Sequence, residues 1–189
     1  MKRNLFSGLD DLDVAQHLIA ELHDDLRGRV ARAHMLFDLG EELGLEGAMI
    51  PGGTIAYRVW IEARNAFING QFVALVLLCQ GLMEHILASQ LEGKADPVML
   101  GNKVGAGTTR NRAASAGIIS DDELIELDQL EKLRNPFAHY RNINDPEHVD
   151  QQATNERRSS DSIFEKSAVF AITLTIKVLS KPSFRLGSF

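Results

Sequence analysis

The chain has 189 residues, 44% of them hydrophobic and 24% charged, the balance of a globular protein rather than a disordered tail or a disulfide scaffold. One domain over 1–189, with a core of about 13–180, suits that length. With 26 acidic against 20 basic residues the formal net charge is −6, which argues against tight, sequence-independent binding to duplex nucleic acid but leaves room for a local basic cleft.

The start of the chain, 1–8, runs into Asp10, Asp11 and Asp13 instead of an apolar stretch, so no signal peptide is expected. No apolar run approaches the about 20 residues that span a bilayer. The single cysteine, Cys79, follows the apolar run 73–78 and reads as a small core hydrophobe rather than a nucleophile. A lone thiol forms no internal disulfide, and a reducing, cytoplasmic location is expected.

Hydrophobic spacing is helical nearly throughout, and no alternating stretch is long enough for a sheet. A first helix is predicted over 13–39, with Val14, Leu18, Leu22, Leu26, Val30, Ala33 and Phe37 recurring every three to four residues. A loop over 47–53 precedes a long helix over 55–91, apolar on all sides from Phe72 to Leu78 and with Gly70 as an interruption. The glycine-rich stretch 93–107 is expected to be irregular, and a short helix is predicted over 108–116.

After Gly117, Ser120-Asp121-Asp122-Glu123 has the form of a capping box. It opens a helix with Leu124, Leu127, Leu130, Leu133 and Phe137 on its core side. A polar connection over 142–161 leads to a last helix over 162–180, whose β-branched residues make a strand the competing reading. The tail, 181–189, is expected to fray. The sum is an all-α, up-and-down bundle of four to five helices.

The segment Arg134-Asn135-Pro136-Phe137-Ala138-His139-Tyr140-Arg141 is the informative one. Pro136 predicts a kink or a stop, because proline lacks the N–H and clashes with the carbonyl four residues back. On an ideal helix Arg134 and His139 point about 140° apart, so a regular helix alone keeps them separate. Arg134 also has a structural alternative, an ion pair with Glu131 or Glu84.

Arginine, four residues, then histidine, late in a helix of an all-helical chain, resembles the signature of HEPN domains. The segments Glu62–Phe72 and Leu82–Leu87, with Glu84 as a supporting glutamate, resemble the second helix of such domains. The resemblance covers about 55–179 and implies a bundle that dimerises and brings two Arg/His pairs into one cleft. Active members are metal-independent ribonucleases, often in toxin–antitoxin or phage-defence systems. Others are helical modules that bind a protein or nucleotide.

For this chain the resemblance implies a homodimer, RNA as a partner, and an antitoxin or other protein as a further partner. His139 becomes the expected proton-transfer group and Arg134 the phosphate clamp, with Asn135 positioning the phosphate or the histidine. Arg141 and Tyr140 are expected to help bind substrate. A tyrosine two positions after the histidine marks one regulated toxin branch; here that position is Arg141, which argues against that regulation. No cofactor is expected. The six histidines lack ligand spacing, so no metal site is expected either.

Overall fold

Residues 12–42, 49–94, 97, 100 and 104–184 are described by the computed structural model. The segment before Leu12, residues 43–48, about half of the connection expected over 93–107, and the tail beyond Phe184 lie outside them. Among the described residues the chain is all-helical, with no strand.

Among the described residues eight α-helices stand against the four to five expected, for identifiable local reasons. The predicted first helix is broken at Asp25 into α1 (Leu12–Asp24) and α2 (Leu26–Glu42). The long one is split into α3 (Gly53–Ile68) and α4 (Phe72–Glu92). Gly70 makes that turn at φ 70, a left-handed conformation costly for any residue with a Cβ. Then come α5 (Ala106–Ser115) and α6 (Asp121–Ala138). The polar connection holds a further short helix, α7 (Val149–Glu156), before α8 (Ser160–Leu179).

The middle of the bundle is α4, which packs against α3, α5, α6 and α8. Leu75, Val76, Cys79, Leu82, Met83, Ile86, Leu87 and Leu91 are all buried along it. By length and composition α4 alone, among the described residues, could cross a bilayer, a candidate that the reading of apolar runs passed over. Inside this bundle the same greasiness seats it against four neighbours.

The α8 segment is a helix despite its β-branched residues because it buries almost every face, Ile163, Ile172, Ile176 and Val178 among them. Its buried hydroxyls are satisfied one turn back: Ser167 donates to the Ile163 carbonyl at 2.9 Å and Thr175 to that of Ala171 at 2.8 Å. The tail does not fray at once. A turn of 3₁₀ helix, Pro182–Phe184, buries Phe184, whose carbonyl accepts from the Met49 N–H at 2.6 Å.

At the other end of the chain, α1 buries none of its residues. α2 is held to the turn between α3 and α4 by Arg32, which donates to the Ile68 carbonyl at 2.9 Å and lies over the Phe72 ring at 5.7 Å.

Candidate functional site at the end of α6

α6 starts where its sequence says it should. The Ser120 hydroxyl accepts from the Glu123 N–H at 3.2 Å, and the Glu123 carboxylate accepts from the Ser120 N–H at 2.7 Å. Three acids in its first turn face the positive end of the helix dipole. Its other end is fixed by packing. Phe137 meets Phe164 of α8 with ring centroids 5.5 Å apart. Both rings rest on a small cluster of Val149, Ala153 and Ile163, so α7 and α8 together seat the end of α6.

Pro136 does not stop the helix on the spot. α6 continues for two more residues and ends at Ala138, because a proline in the last turn forfeits only one of the helix's backbone bonds. His139 is then extended, at φ −129 and ψ 142, while its N–H still donates to the Asn135 carbonyl at 3.0 Å.

That change of backbone direction overcomes the 140° problem of the ideal helix. The His139 ring returns toward Arg134, and Arg134 Nη1 lies 3.3 Å from His139 Nε2. A guanidinium can only donate, so Nε2 must accept in this contact. A hydrogen bond between the two therefore requires the imidazole tautomer that carries its proton on Nδ1. Asn135 contacts both: its Oδ1 accepts from Arg134 Nη1 at 3.3 Å and steadies the arginine, while its backbone carbonyl holds the His139 N–H.

The structural alternative for Arg134 is not realised. Glu131 binds Arg110 of α5, a buried arginine that also donates to Asp128 at 3.0 Å. Sequence reasoning missed Arg110; the signal was Asp128 and Glu131, three apart and so on one face of α6. Glu84 accepts from Gln80 at 3.2 Å, one turn earlier on α4, and faces a pocket with His85, Glu92 and Thr109. Among the described residues it pairs with neither Arg134 nor His139. Among the described residues Arg134 pairs with no carboxylate, which leaves its charge uncompensated beside an exposed histidine.

The two flanking residues differ. Tyr140 is 91% exposed and stands clear of the protein. Arg141 is committed to Asp145 at 3.2 Å and Glu147 at 2.6 Å, so it offers little free charge to a substrate. The Glu147 N–H, and then Arg141, hold the Asp145 carboxyl below its ordinary range. Among the described residues no cluster of histidine, cysteine and carboxylates is placed to hold a metal ion. No family model, no curated protein and no solved structure matches this chain.

Proposed function

We propose that the chain is a HEPN-like, metal-independent endoribonuclease that works as a homodimer. The observation that carries this reading is the 3.3 Å contact between Arg134 and His139 at the exposed end of α6. It supplies one fixed positive charge and one proton acceptor within reach of the same atom. RNA brings its own nucleophile, so a protein need only move protons and stabilise charge.

In this reading an arriving phosphate competes for the Arg134 fork, a better partner for a guanidinium than an imidazole lone pair. Nε2 of His139 is thereby released to take the 2′-hydroxyl proton. The 2′ oxygen bonds to phosphorus, the bond to the 5′ oxygen breaks, and that oxygen leaves as an alcohol with a proton drawn from water. The products are a 2′,3′-cyclic phosphate and a 5′-hydroxyl end. Asn135 keeps the guanidinium plane aimed during the exchange.

The test is cleavage of varied RNAs by purified protein in excess EDTA, beside Arg134→Ala and His139→Ala. Cyclic-phosphate ends from the wild type, with a loss of about 10²–10⁴-fold in His139→Ala, are expected. Full activity in His139→Ala overturns the assignment. One observation favours a second reading, a non-catalytic module that binds a protein or nucleotide. Arg141, two residues beyond His139, is already neutralised by Asp145 and Glu147. Absence of cleavage across all RNAs would favour that module.

A further inference from the structure

α4 is flanked by α3 and α8, which barely meet each other, so the first half of α4 keeps one face open. Two hollows of about 480 and 660 Å³ adjoin on that face, one against α3 and one against α8. Gln71, Ala74 and Leu77 line both, and Leu78, Val73 and Phe164 supply much of the remaining apolar lining. Val73 is 38% exposed and Leu77 37%, on the helix that otherwise builds the core. Described residues bound both hollows. α4 and α8 share the second one at their first turns, and at their far ends Gln90 donates to the Ser183 carbonyl at 3.3 Å. The segments that precede Met49 and follow Lys94 leave from that far end, since the Met49 N–H is bonded to Phe184.

Gly81 extends the same face. It stands seven residues after Ala74, about 20° from it around the helix. Nothing among the described residues lies within 4 Å of where its Cβ would be. Glycine inside a helix is destabilising relative to alanine, and no neighbour in the chain needs the room it leaves. Ala74 and Gly81, flanked by Leu77 and Leu78, open the helix to close approach from outside. From Gln71 to Gly81 the face is about 15 Å long, enough to seat about three turns of a second helix.

Charge narrows the occupant. The lining of the two hollows contains Glu62 on the α3 side and Asp161 on the α8 side, and no lysine, arginine or histidine. Both carboxylates are exposed and form no ion pair among the described residues. Arg32, beside Gly70 at the edge, is committed to Asp25 and the Ile68 carbonyl. An RNA or an anionic lipid surface would bring phosphates against unpaired carboxylates. A helix with an apolar stripe between basic flanks matches both the floor and the rims. We propose that this face docks a basic amphipathic helix of a partner protein, its apolar stripe on Ala74, Leu77 and Gly81 and its cations toward Glu62 and Asp161. The proposal rests on this face alone and not on the nuclease reading.

The test uses the full chain and a synthetic peptide of about 15 residues with leucines on one helical face and lysines on its flanks, beside a twin with glutamates for the lysines. Fluorescence anisotropy should show the lysine peptide bound, and the twin bound more weakly by about tenfold or more. Glu62→Lys/Asp161→Lys should reverse that preference. Asp38→Lys/Glu41→Lys on α2, with the same change of net charge, should keep it. Gly81→Leu should abolish binding with the unfolding midpoint unchanged or raised, since the added side chain meets open space. Leu77→Asp, at an exposed position, should abolish it too. No binding of the lysine peptide, equal binding of the twin, or full binding to Gly81→Leu or Leu77→Asp overturns the proposal. So does RNA binding that Gly81→Leu abolishes, which would make the face a nucleic-acid site. A wild-type dimer that Leu77→Asp dissociates makes a second copy the occupant, and tighter peptide binding by a chain lacking residues 1–11 makes the occupant its own start; either result overturns it as well.

Discussion

Glu123→Gln separates two roles that one side chain holds at the start of α6. The glutamate closes the capping box with Ser120 and pairs with Lys181 just beyond α8. Glutamine keeps an oxygen for the Ser120 N–H and loses only the charge. Breaking a buried pair costs about 3–5 kcal/mol when the survivor is trapped. The Lys181 side chain is 24% exposed, so its ammonium can turn to water, and about 1–3 kcal/mol is the expected loss. For a chain of this size that lowers Tm by about 2–12 °C. Glu123→Ala gives up the cap as well and should lose about 1 kcal/mol more.

The pH dependence has a fixed sign. Burial alone would push the Glu123 carboxyl up, but the Lys181 ammonium and the Ser120 N–H outweigh it, with Lys177 adding to the field, and hold it below the ordinary value. Its stabilising effect is therefore complete above the unfolded value of about 4.3 and is lost as pH falls through the lower, folded value. Urea unfolding of wild type, Glu123→Gln and Glu123→Gln/Lys181→Met, at steps from neutral pH downward, reads this directly. The gap between wild type and Glu123→Gln should be flat near neutrality and close below about pH 4. The double variant should recover part of the loss. A gap under about 0.5 kcal/mol at neutral pH, or one that persists unchanged in acid, refutes the ion-pair argument.

Burial pushes the Cys79 thiol up to about 12, against a smaller opposing effect from its hydrogen bond with Thr175, so thiol reagents should label it only after denaturant is added. Rapid labelling of native protein would contradict that packing. Phe164→Ala should cost about 2–4 kcal/mol, measured by denaturant unfolding, and should loosen the seat of the Arg134–His139 pair. If the nuclease reading holds, cleavage should fall by more than the unfolded fraction explains. Arg110→Ala should lose about 2–4 kcal/mol of stability, and Arg110→Met should recover much of it, because Asp128 and Glu131 can still reach water. Gly70→Ala should lower stability by about 1–2 kcal/mol through its left-handed backbone, with the added Cβ also 3.2 Å from the Arg32 guanidinium, read as a shifted unfolding midpoint.

The helical class was legible because apolar spacing sustained over many turns admits one period, and α6 was placed closely because Ser120 and Glu123 spell out their own cap. Gly70 announced a break between α3 and α4. Asp25 did not, since the apolar residues on either side of a one-residue break keep their three-to-four spacing and leave no trace of it. α7 was hidden by length: eight mostly polar residues, anchored by Val149 and Ala153 alone, carry almost no periodic signal. At the site, ideal helical geometry kept Arg134 and His139 apart, and what joins them is the extended backbone of His139, which periodicity does not encode. The acids Asp128 and Glu131 share a face of α6, but that their partner is Arg110 of α5 depended on how the two helices pack.

The central place of α4 has a consequence for synthesis. Its apolar surface is closed in part by α8, which begins only at Ser160. Until those last residues leave the ribosome, a nascent chain carries a long greasy helix with one side open to water, and helix pairs already formed cannot shield it. Any product that terminates before Ser160 keeps that surface permanently. Such fragments should be caught by chaperones or precipitate, and a stop codon a short way upstream of α8 would be as damaging to yield as one near the start.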